Sequence, residues 1–330
     1  MPATKPKSRL IQVLQSEVIT MAKVRYGVAG DPIVHSLSPI VTSLVHAHLS
    51  STEGVKVPDL KDLAVIPASG IENALAWGYA GSLPSPPDWD LVGSPLGKFR
   101  ANTLLERAVA SAMEIEEADA RLPTAEMDVV EFQKPPKGDE EVWMSLTSPL
   151  KHQLSAAAVK CVDNAMQTRS VNTLRWDGRV WWAASTDGLG ILMVARAFGF
   201  SSDSVLGLIG GGGTARATAA AWCAAGGKVN QLGGRRPLDE DGPWELCNDE
   251  PDLTIDFDDG GGDIIVKYEA MEGDLDSRIE HLSSNADGRW LLCAQNLYSW
   301  AHLWSPFNAQ HLPSLSLLMN RLLACEVTLS

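Results

Sequence analysis

The stretch Ser204–Arg236, SVLGLIGGGGTARATAAAWCAAGGKVNQLGGRR, decides the fold of this chain. A short apolar run leads into a run of glycines, then into an alanine-rich segment, and then into a second apolar run. This order predicts a β-strand, a glycine turn, an α-helix and a second, parallel strand. The stretch therefore predicts an α/β fold with a Rossmann-type domain.

The glycine turn predicts a dinucleotide site. Gly210, Gly212 and Ala215 match the pattern G-x-G-x-x-G/A between a strand and a helix. Such glycines let the backbone approach a pyrophosphate, whose charge lies at the helix N-terminus. The alternative is a tight turn without a ligand, because glycine-rich turns are common. The predicted cofactor-binding residues of the turn are Gly210, Gly211, Gly212, Gly213, Thr214 and Ala215.

The end of the next strand indicates which dinucleotide binds. An NAD-binding protein usually has an Asp or Glu there, which bonds the ribose hydroxyls. This chain has Arg235 and Arg236, and two guanidinium groups suit a 2′-phosphate. We therefore predict NADP in preference to NAD. The alternative is a solvated basic turn that is balanced by the acidic run at 239–241.

Composition excludes several classes of function. The chain has 330 residues, of which 45% are hydrophobic, which favours a globular protein of two domains. Its formal net charge of −14 argues against nucleic-acid binding, which needs a basic face. No apolar run approaches the ~18 residues of a membrane-spanning helix, and nothing near the start predicts a secretory signal. The five cysteines are far apart and form no C-x-x-C pair, so we expect a cytoplasmic protein without a metal site.

The segment Ser145–His152, SLTSPLKH, predicts a helix start. Thr147 or Ser148 would cap a helix whose first residue is Pro149. Lys151 would then lie in the first turn, where the exposed amide dipoles disfavour an ammonium group. Such a lysine could take a proton from an alcohol and return it to a ketone. The alternative is a surface lysine that reaches past the helix end into water.

Further elements follow from apolar spacing. Residues 24–29 predict a buried strand, and IVTSLVHAHL predicts the helix that follows it. Residues 102–122 predict one long helix, and the segment after Lys151 predicts another. SVNTLRWDGRVWWAASTDG predicts two strands around a turn at Asp177-Gly178. The C-terminal tail predicts two amphipathic helices.

Several of these segments resemble one family. YGVAGDPIVHSLSP resembles the opening of shikimate dehydrogenases, SLTSPLK is similar to their N-V-T-x-P-x-K segment, and SVNT to their A-V-N-T. STDGLG resembles their N-T-D-G-x-G, GGGGTAR their glycine turn, and LLCAQNLYSWAHLW their helix near the C-terminus. The segments keep the family order between Tyr26 and Trp304. The chain thus resembles a divergent shikimate dehydrogenase.

The resemblance implies an α/β substrate domain, a Rossmann NADP-binding domain, and C-terminal helices that return to the first domain. The predicted boundaries are 22–187 with 296–330 for the substrate domain and 188–295 for the Rossmann domain. Residues 1–21 would be an extension, and about 70–122 an insertion. The implied reaction is the NADP-dependent interconversion of shikimate and 3-dehydroshikimate in aromatic amino acid biosynthesis. The protein would be a monomer or a homodimer that binds a small polyol acid.

The resemblance also implies roles for single residues. Lys151 and Asp187 would form the catalytic pair. Ser36 and Ser38 would bond the substrate carboxylate, and their alternation on an extended segment would turn both hydroxyls to one side. The other implied substrate-binding residues are Thr147, Asn172, Gln295 and Tyr268.

Two departures from the family pattern leave alternatives open. Ser145 and Ser185 each stand where the family has an asparagine, so two amides near the substrate are missing. The substrate could therefore be quinate or an amino analogue of shikimate. A third possibility is a catalytically silent, nucleotide-binding homologue. The retention of both Lys151 and Asp187 argues against it, because a binding protein has no need of the pair.

Overall fold

The N-terminal half of the chain forms the first of the two β-sheets found among the described residues. The computed structural model describes residues 22–33, 35–79, 102–128 and 134–329, so the predicted extension 1–21 and much of the predicted insertion, 80–101, lie outside it. The strand order is β2-β1-β3-β5-β6-β4, with β1, β2 and β3 parallel and β5 antiparallel to both of its neighbours. The strands are β1 (Lys23–Gly30), β2 (Asp59–Pro67), β3 (Glu140–Leu146), β4 (Lys160–Cys161), β5 (Thr173–Trp176) and β6 (Trp181–Ala184). The predicted strand at 24–29 and the predicted strand pair are confirmed.

The helices of the N-terminal half agree less fully with those predicted from the sequence. They are α1 (Ser38–Ser51), α2 (Ile71–Tyr79), α3 (Asn102–Ala112) and α4 (Ala165–Thr168). The prediction of one long helix over 102–122 was wrong, because α3 ends at Ala112 and only a 3₁₀ turn at Glu117–Asp119 follows. The acidic run after Ala112 explains the early end, since the C-terminus of a helix carries partial negative charge.

The second sheet is a parallel, three-stranded one. Its order is β8-β7-β9, and its strands are β7 (Val205–Ile209), β8 (Lys228–Gly233) and β9 (Leu253–Asp256). Helix α6 (Gly213–Ala224) connects β7 to β8, which confirms the predicted Rossmann unit. Helix α5 (Asp187–Ala197) packs against α6, and α7 (Leu275–Ser284) follows the sheet.

The C-terminal helices return to the first sheet, as predicted. Helix α8 (Gly288–Ser299) continues into a π-helical turn, and α9 (Leu315–Leu329) closes the described chain. Helix α9 packs on α1 and α3, and the π-helical turn packs on β5 and β6. Trp304, in that turn, stacks on Trp143 of β3 with ring centroids 5.8 Å apart and an interplanar angle of 3°. Buried tryptophans thus join the tail to the sheet.

Two glycines let α5 approach both of its neighbouring helices. An added Cβ at Gly188 would lie 2.0 Å from the Ala217 carbonyl oxygen of α6, and one at Gly190 would lie 2.9 Å from the Gln295 amide nitrogen of α8. Helix α5 therefore connects the two halves of the fold through backbone contacts. No helix among the described residues is long and apolar enough to cross a membrane. The predicted domain boundaries stay predictions.

Candidate active site

A cleft of about 640 Å³ lies where the carboxyl ends of the parallel strands of both sheets meet. The first sheet contributes the segments that follow β1 and β3, and the second contributes the turn after β7, Arg236 after β8 and Phe257 after β9. Helix α8 closes one side with Gln295. In open α/β sheets, ligands bind outside the carboxyl ends of the strands, so this cleft is the candidate active site.

Ser36 and Ser38 both line the cleft, but not on an extended segment. Leu37, between them, has helical dihedral angles and is the N-cap residue of α1, which begins at Ser38. The Ser36 hydroxyl donates to the Ser38 hydroxyl at 3.0 Å and accepts from the Ser38 amide at 3.3 Å. The expectation of an extended segment with alternating side chains was therefore wrong, although both serines line the cleft. A helix N-terminus beside two hydroxyls favours an anion.

Tyr268 holds this serine segment in place. Its hydroxyl accepts from the Leu37 amide at 3.3 Å and donates to the His35 carbonyl oxygen at 3.3 Å. Burial raises the pKa of Tyr268 to about 12, so the phenol stays protonated and can keep donating. The Arg289 guanidinium lies 5.5 Å from the centre of its ring. The predicted substrate-side tyrosine lines the cleft, but its hydroxyl contacts the backbone.

The predicted helix at Lys151 is absent. Leu150–His152 form a single 3₁₀ turn with Pro149 as its N-cap residue, and no side chain caps it. The carbonyl oxygen of Lys151 accepts from the Val171 amide at 2.8 Å, so it is not available to continue an α-helix. The prediction that Thr147 or Ser148 caps a helix here was therefore wrong. One 3₁₀ turn does not supply the helix dipole on which that reasoning depended.

Other groups surround the Lys151 ammonium instead. Its Nζ donates to Asp187 Oδ2 at 2.5 Å and to Thr214 Oγ1 at 2.9 Å. The Lys151 side chain is 18% exposed and lines the cleft, whereas the Asp187 side chain is fully buried behind it. Asp187 is the first residue of α5, where the helix dipole favours a carboxylate. The structure thus brings the two predicted catalytic residues together.

The predicted hydroxyl-binding residues lie beside this pair. Thr147 and Gln295 line the cleft. Asn172 is 4% exposed and lies one contact further in, where its amide nitrogen donates to Thr186 Oγ1 at 2.8 Å and approaches Gln295 Oε1 at 3.5 Å. The Asn172 side-chain oxygen accepts from the Thr186 amide at 2.7 Å. Asn172 therefore orients Gln295 and the start of α5 in this structure.

The glycine turn has one closed side and one open side. An added Cβ at Gly211 would lie 2.4 Å from the Pro237 carbonyl oxygen, so the chain after β8 packs against this residue. An added Cβ at Gly212 would meet nothing within 4 Å. Gly212 is the N-cap residue of α6, and no side chain caps the helix. The first amides of α6 therefore adjoin open space at the cleft.

The two arginines after β8 differ in their surroundings. The backbone amide of Arg235 donates to Asp258 Oδ2 at 2.6 Å, and its guanidinium donates to the Asp258 carbonyl oxygen at 3.1 Å. Arg236 is exposed, lines the cleft, and has no ion pair among the described residues. The acidic partner of the turn is therefore Asp258, after β9, and of the two arginines only Arg236 is available to an anion in the cleft.

Comparison with solved structures identifies the fold. The chain is similar to the shikimate 5-dehydrogenase of Thermus thermophilus in complex with shikimate, with a TM-score of 0.53, 18% identity, and 91% of this chain and 97% of that chain covered. The same enzyme in complex with NADP(H) and shikimate gives a TM-score of 0.52 at 19% identity, with 91% of this chain and 98% of that chain covered. The chain has the shikimate dehydrogenase fold. The predicted fold class is confirmed.

A further solved structure has the same fold, whereas comparisons by sequence find no relative. The shikimate dehydrogenase of Mycobacterium tuberculosis gives a TM-score of 0.52 at 16% identity, with 91% of this chain and 98% of that chain covered. No protein-family model and no curated protein sequence matches the chain. The likeness therefore lies in the fold.

Sequence reasoning missed a polar group behind Ser38. The Ser145 hydroxyl lies 2.9 Å from the hydroxyl of Tyr26, which is fully buried in β1. Burial raises the pKa of Tyr26, so this phenol also stays protonated. The missing amide at Ser145 is therefore replaced by a hydroxyl that binds a core tyrosine. Tyr26 carried a signal, because a tyrosine within a strand that is predicted to be buried needs a partner for its hydroxyl.

Ser185 is held by a second carboxylate that sequence reasoning missed. Asp163 accepts from the Ser185 amide at 2.7 Å and from the Ala165 amide at 2.9 Å. Burial raises the pKa of Asp163 to about 6, and the hydrogen bonds from these two backbone amides oppose that rise. The contact fixes the backbone two residues before Asp187. Within the described part of the chain, no cluster of three or more His, Cys, Asp or Glu side chains could hold a metal ion.

Proposed function

We propose that this protein is an NADP-dependent oxidoreductase that interconverts shikimate and 3-dehydroshikimate. The observation that carries the proposal is the Lys151–Asp187 pair, 2.5 Å apart, at a cleft that also holds the glycine turn and a pair of serine hydroxyls. An amine beside the predicted cofactor turn suits the oxidation of an alcohol. The similarity in fold to a shikimate 5-dehydrogenase in complex with NADP(H) and shikimate supports the same substrate and cofactor.

The glycine turn fits a dinucleotide. Gly212 has open space on its side-chain side, and the uncapped N-terminus of α6 begins there. Backbone amides of this kind bind a pyrophosphate. Arg236, exposed at the same cleft, would bond the 2′-phosphate that distinguishes NADP from NAD. The bound cofactor supplies the hydride acceptor.

The chain's own groups handle the proton and the acid. When the alcohol is oxidised, its hydroxyl proton must leave as the hydride leaves the carbon, and Lys151 Nζ takes that proton. In the reverse direction the ammonium group returns it to the ketone oxygen. Asp187, fully buried behind Lys151, stabilises the ammonium form and orients the nitrogen. Ser36 and Ser38, at the N-terminus of α1, bond the ring carboxylate.

A spectrophotometric assay at 340 nm tests the proposal. We expect NADP reduction with shikimate, and we expect Lys151→Ala to abolish it because no other lysine among the described residues lines the cleft. The cofactor affinity of this variant, measured by fluorescence titration, should stay close to that of the wild type. Lys160→Ala is the matched control, because this exposed lysine lies over the Trp182 ring and away from the cleft.

Two results would change the proposal. The Ser145 hydroxyl binds Tyr26, so β3 provides no side-chain amide that could bind a ring hydroxyl. This observation favours testing quinate and an amino analogue as well. A higher kcat/KM with quinate than with shikimate would reassign the substrate. Tight NADP binding without turnover of any polyol acid, unchanged by Asp187→Asn, would show a nucleotide-binding protein instead of an enzyme.

A further inference from the structure

Thr214 is the only residue of the described glycine turn whose side chain bonds the Lys151–Asp187 pair. Its Oγ1 accepts from Lys151 Nζ at 2.9 Å and donates to Asp187 Oδ2 at 3.1 Å. The three groups come from separate parts of the chain: the segment after β3, the start of α5 and the start of α6. A single hydroxyl therefore connects the predicted nucleotide turn to the predicted proton-transfer groups.

The position of Thr214 does not follow from the needs of its own helix. A threonine near a helix start can instead bond a nearby backbone group with its hydroxyl. Helix α6 has Gly212 as its N-cap residue and no side-chain cap, and the Thr214 hydroxyl is directed to the other two groups. The backbone of α6 also lies close to the lysine side chain, since an added Cβ at Gly213 would lie 3.1 Å from Lys151 Cβ.

Two acceptors define the direction of the nitrogen. A neutral amine has two N–H groups and one lone pair in a tetrahedral arrangement. When the two N–H groups bond Asp187 Oδ2 and Thr214 Oγ1, the lone pair takes the remaining direction. Lys151 lines the cleft while Asp187 is fully buried, so the direction left over faces the cleft. With Asp187 alone, the amine could rotate about its bond to Cε.

We propose that Thr214 is a positioning residue, which directs the lone pair of Lys151 into the cleft and links that orientation to the glycine turn. The inference rests on the proposed function for its kinetic consequence. Its geometric consequence does not, because the Lys151–Thr214 contact exists whatever substrate the cleft takes. Any ligand that shifts the start of α6 also shifts one of the two acceptors that hold the lysine.

Other ionisable groups surround the pair and have to be held constant in a test. They are Asp163 behind Ser185, Arg216 on α6, His152 beside Lys151, and Asp31, His35, Arg236 and Tyr268 across the cleft. The Arg216 guanidinium is engaged by the carbonyl oxygens of Thr168, Arg169 and Gly211. All of these groups are common to the wild type and to variants at Thr214, so a difference between such proteins isolates the hydroxyl.

Three variants test the proposal by kinetics. Thr214→Val keeps the shape and removes the hydroxyl, Thr214→Ser keeps the hydroxyl, and Thr218→Val is the matched control. Thr218, one turn further along α6, is buried and donates only to the Thr214 carbonyl oxygen, at 2.9 Å. We expect Thr214→Val to lower kcat with shikimate and NADP by about 10- to 100-fold, the range that hydrogen bonds to charged groups supply. KM should change little, and Thr214→Ser should restore most of the rate.

A second measurement does not need turnover. Trace labelling with acetic anhydride between pH 6 and 11, followed by mass spectrometry, gives the neutral fraction of Lys151, with the exposed Lys160 as an internal reference. Thr214→Val removes one acceptor of the ammonium form, so the midpoint of Lys151 labelling should move to lower pH. Thr214→Ser and Thr218→Val should leave that midpoint in place.

The two measurements separate this inference from the proposed function. A shifted labelling midpoint in a protein that turns over no polyol acid would overturn the proposed function and keep the role of Thr214. Shikimate turnover in which Thr214→Val matches the wild type in kcat, pH profile and labelling would keep the function and overturn the inference. Equal losses in Thr214→Val and Thr214→Ser would also overturn it, because the hydroxyl would then not be the cause.

Discussion

Replacing Gly188 by alanine should move α5 away from α6 and so disturb the site without touching a catalytic group. The new Cβ would lie 2.0 Å from the Ala217 carbonyl oxygen and 2.9 Å from the Ala221 Cβ. Real Cβ atoms stay at least 3.0 Å from such atoms, so the helices must separate by about 1 Å. A backbone carbonyl cannot rotate out of the way as a side chain can.

The cost follows from that displacement. Overpacking a core costs about 1–3 kcal/mol, and a clash with backbone belongs at the upper end. For a domain of about 150–250 residues, a loss of about 3 kcal/mol corresponds to a fall in Tm of roughly 6–12 °C. The Thr214–Asp187 hydrogen bond, 3.1 Å long, would lengthen to about 4 Å and be lost. Misplacing reacting groups by about 1 Å can lower kcat/KM by about 100-fold.

Differential scanning calorimetry and the 340 nm assay measure the two effects. Gly70→Ala is the matched control, because its Cβ would meet only the end of the flexible Glu72 side chain, at 3.3 Å. This control should melt close to the wild type and keep its activity. If Gly188→Ala melted within 1 °C of the wild type and kept its full kcat/KM, the reasoning from helix packing to the site would be refuted.

Two further predictions concern charge. Arg236→Gln should raise KM for NADP by about tenfold, the loss expected for one hydrogen bond to a charged group, and leave KM for NAD unchanged. Arg235→Gln should have a smaller effect because Asp258 already engages that residue; steady-state kinetics with both cofactors would decide, and equal effects would contradict the assignment. Burial raises the pKa of Asp163 from 3.8 to about 6, so the folded state binds more protons between these values and the stability from this group falls as pH rises. The free energy of unfolding in urea, wild type minus Asp163→Asn, should drop by about 2 kcal/mol between pH 4 and 6.5. A constant difference would refute the role of burial.

Features encoded within about ten residues could be predicted from sequence. The glycine turn, its flanking strand and the alanine-rich helix follow from local backbone preferences, and the structure has them at Val205–Ile209 and Gly213–Ala224. The resemblance to shikimate dehydrogenases also implied that Lys151 and Asp187 form a pair, and Lys151 Nζ lies 2.5 Å from Asp187 Oδ2. The helix expected at Lys151 failed because the Val171 amide, from another part of the chain, takes the carbonyl oxygen that a helix would need.

By itself, the sequence determined the strand–turn–helix unit and its glycine turn, since both depend on short-range spacing. The roles of the residues that carry chemistry were predicted from the resemblance of short motifs to shikimate dehydrogenases. Tertiary structure alone decided which groups hold those residues. Lys151 meets Asp187 and Thr214, 36 and 63 residues further along the chain, only because Gly188 lets α5 pack directly on α6. Local patterns specify backbone conformation, whereas contacts over such separations depend on how whole helices pack.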